Sequence, residues 1–150
     1  MKTVLIKEIE YPVYATIEDA NEYFNAVFGS NWETIDDETK NVLLVSATRS
    51  IDYAEWKGAK VDEEQALAFP RYIAGKKTDD DLLMKACCEE AIAIYKSGSS
   101  NVSNTEGIQS IKVQDTQITF RANAEEQKFK SNAVEEILRP YMYLGVSVLF

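Results

Sequence analysis

The chain has 150 residues, 45% of them apolar, and a net charge of −9 at pH 7. The length fits one domain with a sizeable core, and the composition is that of an ordinary globular protein. Histidine is absent, so the commonest general base is missing, and the negative charge opposes the phosphate contacts that dominate nucleic-acid affinity.

No run of 18 apolar residues is present, so neither a transmembrane helix nor a membrane partner is expected. Met1 to Glu8 is charged too early for a signal peptide, and a cytoplasmic origin is expected. Cys87 and Cys88 are adjacent and diverge on a helix, so they are read as two reduced thiols in or near the core. No metal or other cofactor is expected, because ligands at suitable spacing are lacking.

In chain order, Val4-Leu5-Ile6 begins a strand-like run, and Pro12 limits it to an edge strand or extended arm. Thr16 is a good N-cap, with Asp19 in the capping-box position. Ile17, Ala20, Phe24 and Val27 then recur at helical spacing, and Gly29 is a natural stop. Trp32 falls in a loop. Asp36 or Asp37 can cap a second helix running to about Glu55, ended by Gly58. Asp62 is expected to cap a short helical turn through Ala68, which Pro70 prevents from continuing. Gly75 to Thr78 reads as a loop. Thr78 or Asp79 starts the longest helix, to about Lys96, and Asp79-Asp80-Asp81 complements the positive end of its dipole. Ser97 to Asn104 has linker composition. Ile111, Val113, Ile118 and Phe120 alternate with polar residues as in a β-hairpin spanning about 108–120. Ser131 or Asn132 can cap a last short helix through Leu138, ended by Pro140, and the tail 141–150 is apolar and β-prone.

The expected fold is therefore mainly α: a single domain holding a small bundle of about four helices (about 14–97 and 131–139), one projecting hairpin and extended termini. The paired carboxylates at 36–37, 63–64, 79–81 and 89–90 read as caps and solvated charge, so an enzyme is not expected. Tyr53, Trp56, Phe69 and Tyr72 lie near Arg49, Lys57, Arg71 and Lys76, a mixture that can make a single-strand stacking platform. Gly58 and Pro70 frame Trp56 and Phe69, which favours the reading of those two as core anchors, with Arg49 and Asp52 pairing across the turn. An apolar tail must dock on its own domain or on a partner.

Several blocks resemble a known family. Tyr14 to Phe24, Trp56-Lys57-Gly58, Phe69-Pro70-Arg71, the Ala-bearing helix from Met84 to Tyr95, the hairpin region and Leu138-Arg139-Pro140-Tyr141 occur in the order and spacing of the head–tail adaptor (connector or neck) proteins of long-tailed bacteriophages. The family hairpin often has a Gly near its turn; Val113-Gln114-Asp115-Thr116 has none. The resemblance implies a virion neck protein, assembled in the host cytoplasm as a dodecameric ring on the portal protein. It implies a DNA channel that passes DNA without specific binding, and a docking face for stopper or tail-completion proteins. It implies that Tyr141, Tyr143, Leu144, Val146, Val148 and Phe150 engage the portal or a neighbouring subunit. Ile111, Val113, Ile118 and Phe120 would make inter-subunit contacts, while Trp56, Gly58, Phe69 and Pro70 hold the turn that sets the bundle. Some relatives carry the label of primosomal single-stranded-DNA-binding proteins, which makes a replication accessory protein the alternative.

Overall fold

A computed structural model describes residues 1–103 and 129–143, with side chains described through Gly98 and from Phe129. The chain is mainly α, as expected: α1 (Ile17–Phe24), α2 (Asp37–Asp52), α3 (Asp80–Ser103) and α4 (Asn132–Leu138) build the body. Two 3-10 turns, Trp32–Thr34 and Arg139–Tyr141, precede α2 and follow α4. The core pair is α2 with α3; α4 packs on α3, and α1 touches both members of the pair. From α2, Leu43, Leu44, Val45, Ala47, Thr48 and Ile51 are all buried, so this helix is covered over most of its circumference. Its Val42, by contrast, lies largely in solvent. Leu83, Ala86, Cys87, Cys88 and Ala91 supply the facing stripe of α3, and Val134 and Leu138 that of α4.

The helix starts follow from side-chain oxygens that satisfy otherwise unpaired N–H groups. Thr16 and Asp19 form a reciprocal capping box, Asp36 accepts from Thr39 N, and Ser131 accepts from Ala133 N. Asp79 plays this part for α3, where its carboxylate accepts from Asp81 N at 2.9 Å. That helix continues through Ser103, so the stretch expected as a linker is helical up to that point. Its Ser, Gly and Asn residues have weak helical propensity, but elongating an established helix costs far less than nucleating one.

The N-terminus is more ordered than an extended arm. β1 (Thr3–Ile6) and β2 (Ile9–Pro12) pair antiparallel, with Val4 opposite Tyr11 and Ile6 opposite Ile9, and the ribbon lies on α2. Its two-residue turn is Lys7-Glu8, both at positive φ, the backbone form that matches the twist of hairpin strands. Pro12 ends β2 at an edge, where no ladder hydrogen bond is lost.

A second, three-stranded antiparallel sheet was not foreseen. It orders β3 (Ala59–Lys60), β4 (Arg71–Ile73) and β5 (Lys76–Lys77). β5 takes the place of part of the expected loop. Between β3 and β4 the chain forms turns rather than the expected helical turn. The Gln65 side chain causes this. Its amide donates to Leu67 O and Pro70 O at 2.9 Å, and its carbonyl accepts from Asp62 N at 3.0 Å. A side chain that satisfies local backbone groups removes the incentive to form a helix. The Phe69–Pro70 peptide is cis.

Candidate functional site

Four of the blocks that carry the family resemblance, those of Tyr14, Trp56, Phe69 and Tyr141, converge on one junction. Tyr14 enters it directly after β2. Its hydroxyl donates to Asp52 Oδ1 at 2.5 Å and accepts from Phe69 N at 3.1 Å. The same Asp52 oxygen accepts from Ala68 N at 3.1 Å. The last turn of α2 and the loop before β4 are thereby tied to the N-terminal segment. Burial, and then the bond to the Asp52 carboxylate, push the Tyr14 phenol far above its ordinary pKa. The pairing of Arg49 with Asp52 expected from the sequence is not formed: Arg49 is exposed, and Asp52 is engaged by Tyr14 and Ala68.

Phe69 is the centre of an aromatic group. Trp56 meets it edge-on at 5.0 Å and 71°, Tyr14 at 6.1 Å and 78°, and Tyr141 lies 5.9 Å away. Trp56 donates its indole N–H to Ile51 O at 2.8 Å and stacks on Phe129 at 6.4 Å. Trp56 and Phe69 are both buried, the position expected of core anchors. Gly58 has φ +74, and a Cβ there would come within 2.0 Å of Tyr72 O. No other residue fits where β3 approaches β4 so closely. Arg71 spreads its guanidinium over Lys57 O, Gly58 O and Ala68 O at 2.8–3.2 Å and lies over the Phe69 ring.

The C-terminal phrase closes the same junction. Tyr141 O accepts from Lys57 N at 2.9 Å, and its hydroxyl accepts from Asp79 N at 3.0 Å. Met142 bridges to Trp56 and is 2% exposed, and Tyr143 N donates to Glu55 O. The tail is thus docked on its own body as far as Tyr143, whose side chain is half exposed. Leu144, Val146, Val148 and Phe150 lie outside the described residues, as do Ile111, Val113, Ile118 and Phe120 of the expected hairpin.

Two features escaped the sequence reading. Glu90, read as solvated charge, is 1% exposed, and its two oxygens accept from Lys130 N and Ser131 N at 3.0 Å. Burial raises its pKa, against the lowering effect of those two bonds. A carboxylate on α3 therefore holds the chain entering α4, across a separation that no local pattern signals. Its neighbour Glu89 accepts from the Tyr23 hydroxyl at 2.5 Å. Trp32, read as a loop residue, is 1% exposed; it donates to Asn21, packs on Phe24 and lies beneath the Lys40 ammonium.

Burial pushes the Cys87 thiol up to about 11 and raises that of Cys88, which disfavours the thiolate. No cluster of metal-ligating side chains occurs among the described residues. A cleft of about 530 Å³ opens beside the junction, lined mainly by Val13, Tyr14, Leu67, Phe69, Pro70 and Leu83. The three-stranded sheet has a different character. Lys60, Tyr72, Lys76 and Lys77 are exposed on it, and its strands contain no carboxylate.

Residues 10–148 match the model of a family described as "Putative DnaT-like ssDNA binding protein". The chain belongs to this family. The match takes in both the junction and the sheet. No curated protein and no solved structure matches the chain.

Proposed function

We propose that this family member is a structural adaptor of a long-tailed bacteriophage neck, a ring subunit that sits on the portal, extends the DNA channel and receives the stopper or tail. The observation that carries this reading is the junction. Four of the blocks resembling adaptor proteins meet at Phe69, Tyr14, Trp56 and Tyr141, where polar groups of the joined segments satisfy one another. Such a site transmits rigidity and holds surfaces in register. The net charge of −9 suits a channel wall that repels a passing polyanion. A closed ring needs a heterologous head-to-tail contact. The apolar sequence after Tyr143 is the segment offered to the portal or a neighbour.

The structure refines the test of that tail. Removing residues from 141 onward would take away Met142 and the Tyr141 contacts, which belong to the core. Truncation after Tyr143 leaves them in place. The truncated protein is expected to keep its melting temperature and to lose co-sedimentation with portal-bearing capsids. Undiminished co-sedimentation would contradict the assigned role of the tail.

The family description and the basic sheet favour a second reading, a single-stranded-DNA-binding protein of replication. Salt-sensitive binding to an oligonucleotide, with no affinity for capsids, would select it.

A further inference from the structure

We propose that the cleft beside the junction receives the apolar tail of a second copy of the chain. Leu144, Val146, Val148 and Phe150 of one subunit seat against Val13, Leu67, Phe69 and Leu83 of the next. This inference rests on the adaptor reading and names the contact that closes its ring.

The cleft measures about 530 Å³, inside the range of roughly 300–1,000 Å³ for ligand pockets. Its walls come from three segments: Val13 and Tyr14 after β2, Leu67 to Pro70 from the β3–β4 connection, and Leu83 from α3. The bonds of the Tyr14 hydroxyl to Asp52 and Phe69 N hold two of these walls against each other, so the cleft is formed before anything enters it. The polar groups at its rim leave little for a charged ligand to satisfy. Lys2 is paired with Asp19 at 2.8 Å, and the Gln65 amide is engaged by Leu67 O and Pro70 O. Such a surface is best covered by an apolar occupant.

The tail sequence has the matching pattern. In an extended segment Leu144, Val146, Val148 and Phe150 share one side, with Gly145, Ser147 and Leu149 on the other. Seven extended residues reach about 23 Å, enough to leave one subunit and enter another. The last described pairings direct the chain away from its own cleft. Tyr141 lies against Phe69 and Asp79, next to the cleft. Met142 then bridges antiparallel to Trp56, and Tyr143 N donates to Glu55 O, so the chain runs on towards the exposed Tyr53. Donor and receptor are thus different surfaces of one subunit, as a heterologous contact requires, and each copy can give its tail to the next.

The test is cross-linking of the full chain carrying Asp80→Cys at the exposed cleft rim and Ser147→Cys on the small-residue side of the tail. Neither change touches the apolar contacts, and the native Cys87 and Cys88 are buried, so the unaltered chain is the blank. A short bismaleimide is added in the presence of portal-bearing capsids, and attachment of the unaltered chain is read by co-sedimentation. A ladder of chains linked through positions 80 and 147 is the expected product. Lys7→Cys in place of Asp80→Cys, on the distant hairpin turn, is expected to give little of it. Adding Val146→Asp and Val148→Asp is expected to reduce the ladder at least about tenfold, since an unpaired charge is costly to bury. A ladder that those two changes leave undiminished would overturn the proposal, as would a product linked within one chain. Attachment to capsids with no ladder would overturn the site and spare the adaptor reading. A ladder without attachment would uphold the site and overturn that reading, and absence of both would overturn both.

Discussion

Tyr14 and Asp52 show how one hydroxyl and one carboxylate can fix three segments at once. The Tyr14 hydroxyl is both donor and acceptor, so Tyr14→Phe strands Phe69 N and removes a bond to a charged group. The expected cost is about 1–3 kcal/mol, read as a lower urea midpoint with an unchanged m value. Glu90 offers a pH signature. Its folded pKa is raised by burial, so the folded state holds a proton that the unfolded state releases. The stability from Glu90 is complete below the ordinary glutamate value and is lost as pH rises through the folded value. Urea melts of the wild type and Glu90→Gln are therefore expected to diverge in favour of the wild type as pH falls from neutral towards the ordinary glutamate value. A difference that is flat or of opposite sign over that range would contradict the assignment.

At the scale of elements, the β3–β4 contact depends on Gly58. Gly58→Ala forces a Cβ against Tyr72 O and keeps a left-handed φ that side chains disfavour. The expected loss is more than about 2 kcal/mol, seen as a lower melting temperature and loosened amide protection at Tyr72. The four helices were legible because their signals are local. Thr16, Asp36 and Ser131 each act on N–H groups two or three residues away. The turn residues Trp56, Gly58, Phe69 and Pro70 stood out because Gly and Pro punctuate the chain. What stayed hidden depends on distant partners or on atypical turns. Lys7-Glu8 takes a hairpin turn without Gly or Asn, so the residues on both sides of it read as one strand-like run. Strands of two or three residues are too short for an alternation to register. The Asp62 stretch looked helical because the capture of its backbone by Gln65 requires the fold of the loop. Glu90 looked solvated because its donors lie 40 and 41 residues further on. The candidate site was legible as a list of aromatic and basic residues, but its division into buried anchors, Trp56 and Phe69, and an exposed Tyr72 required the structure.

For the whole molecule, the proposed ring would be assembled from a body whose buried side-chain polar atoms are nearly all paired among the described residues. Among the described residues only Asn41 Oδ1 lacks a partner. The apolar surface left outside includes Leu5, Ile9 and Val42 around the N-terminal ribbon and α2, Phe28 after α1, and Tyr53 and Tyr143 near the exit of the docked tail. In the proposed ring these residues would meet neighbours, and the excess negative charge would make close packing of subunits salt-dependent. Raising ionic strength is therefore expected to promote self-association, which sedimentation velocity at low and high salt would reveal. The most direct test of the adaptor account is electron microscopy of the full chain mixed with portal-bearing capsids that lack a neck. A ring of added density beneath the portal is the predicted result. Bare portals at saturating protein would contradict it.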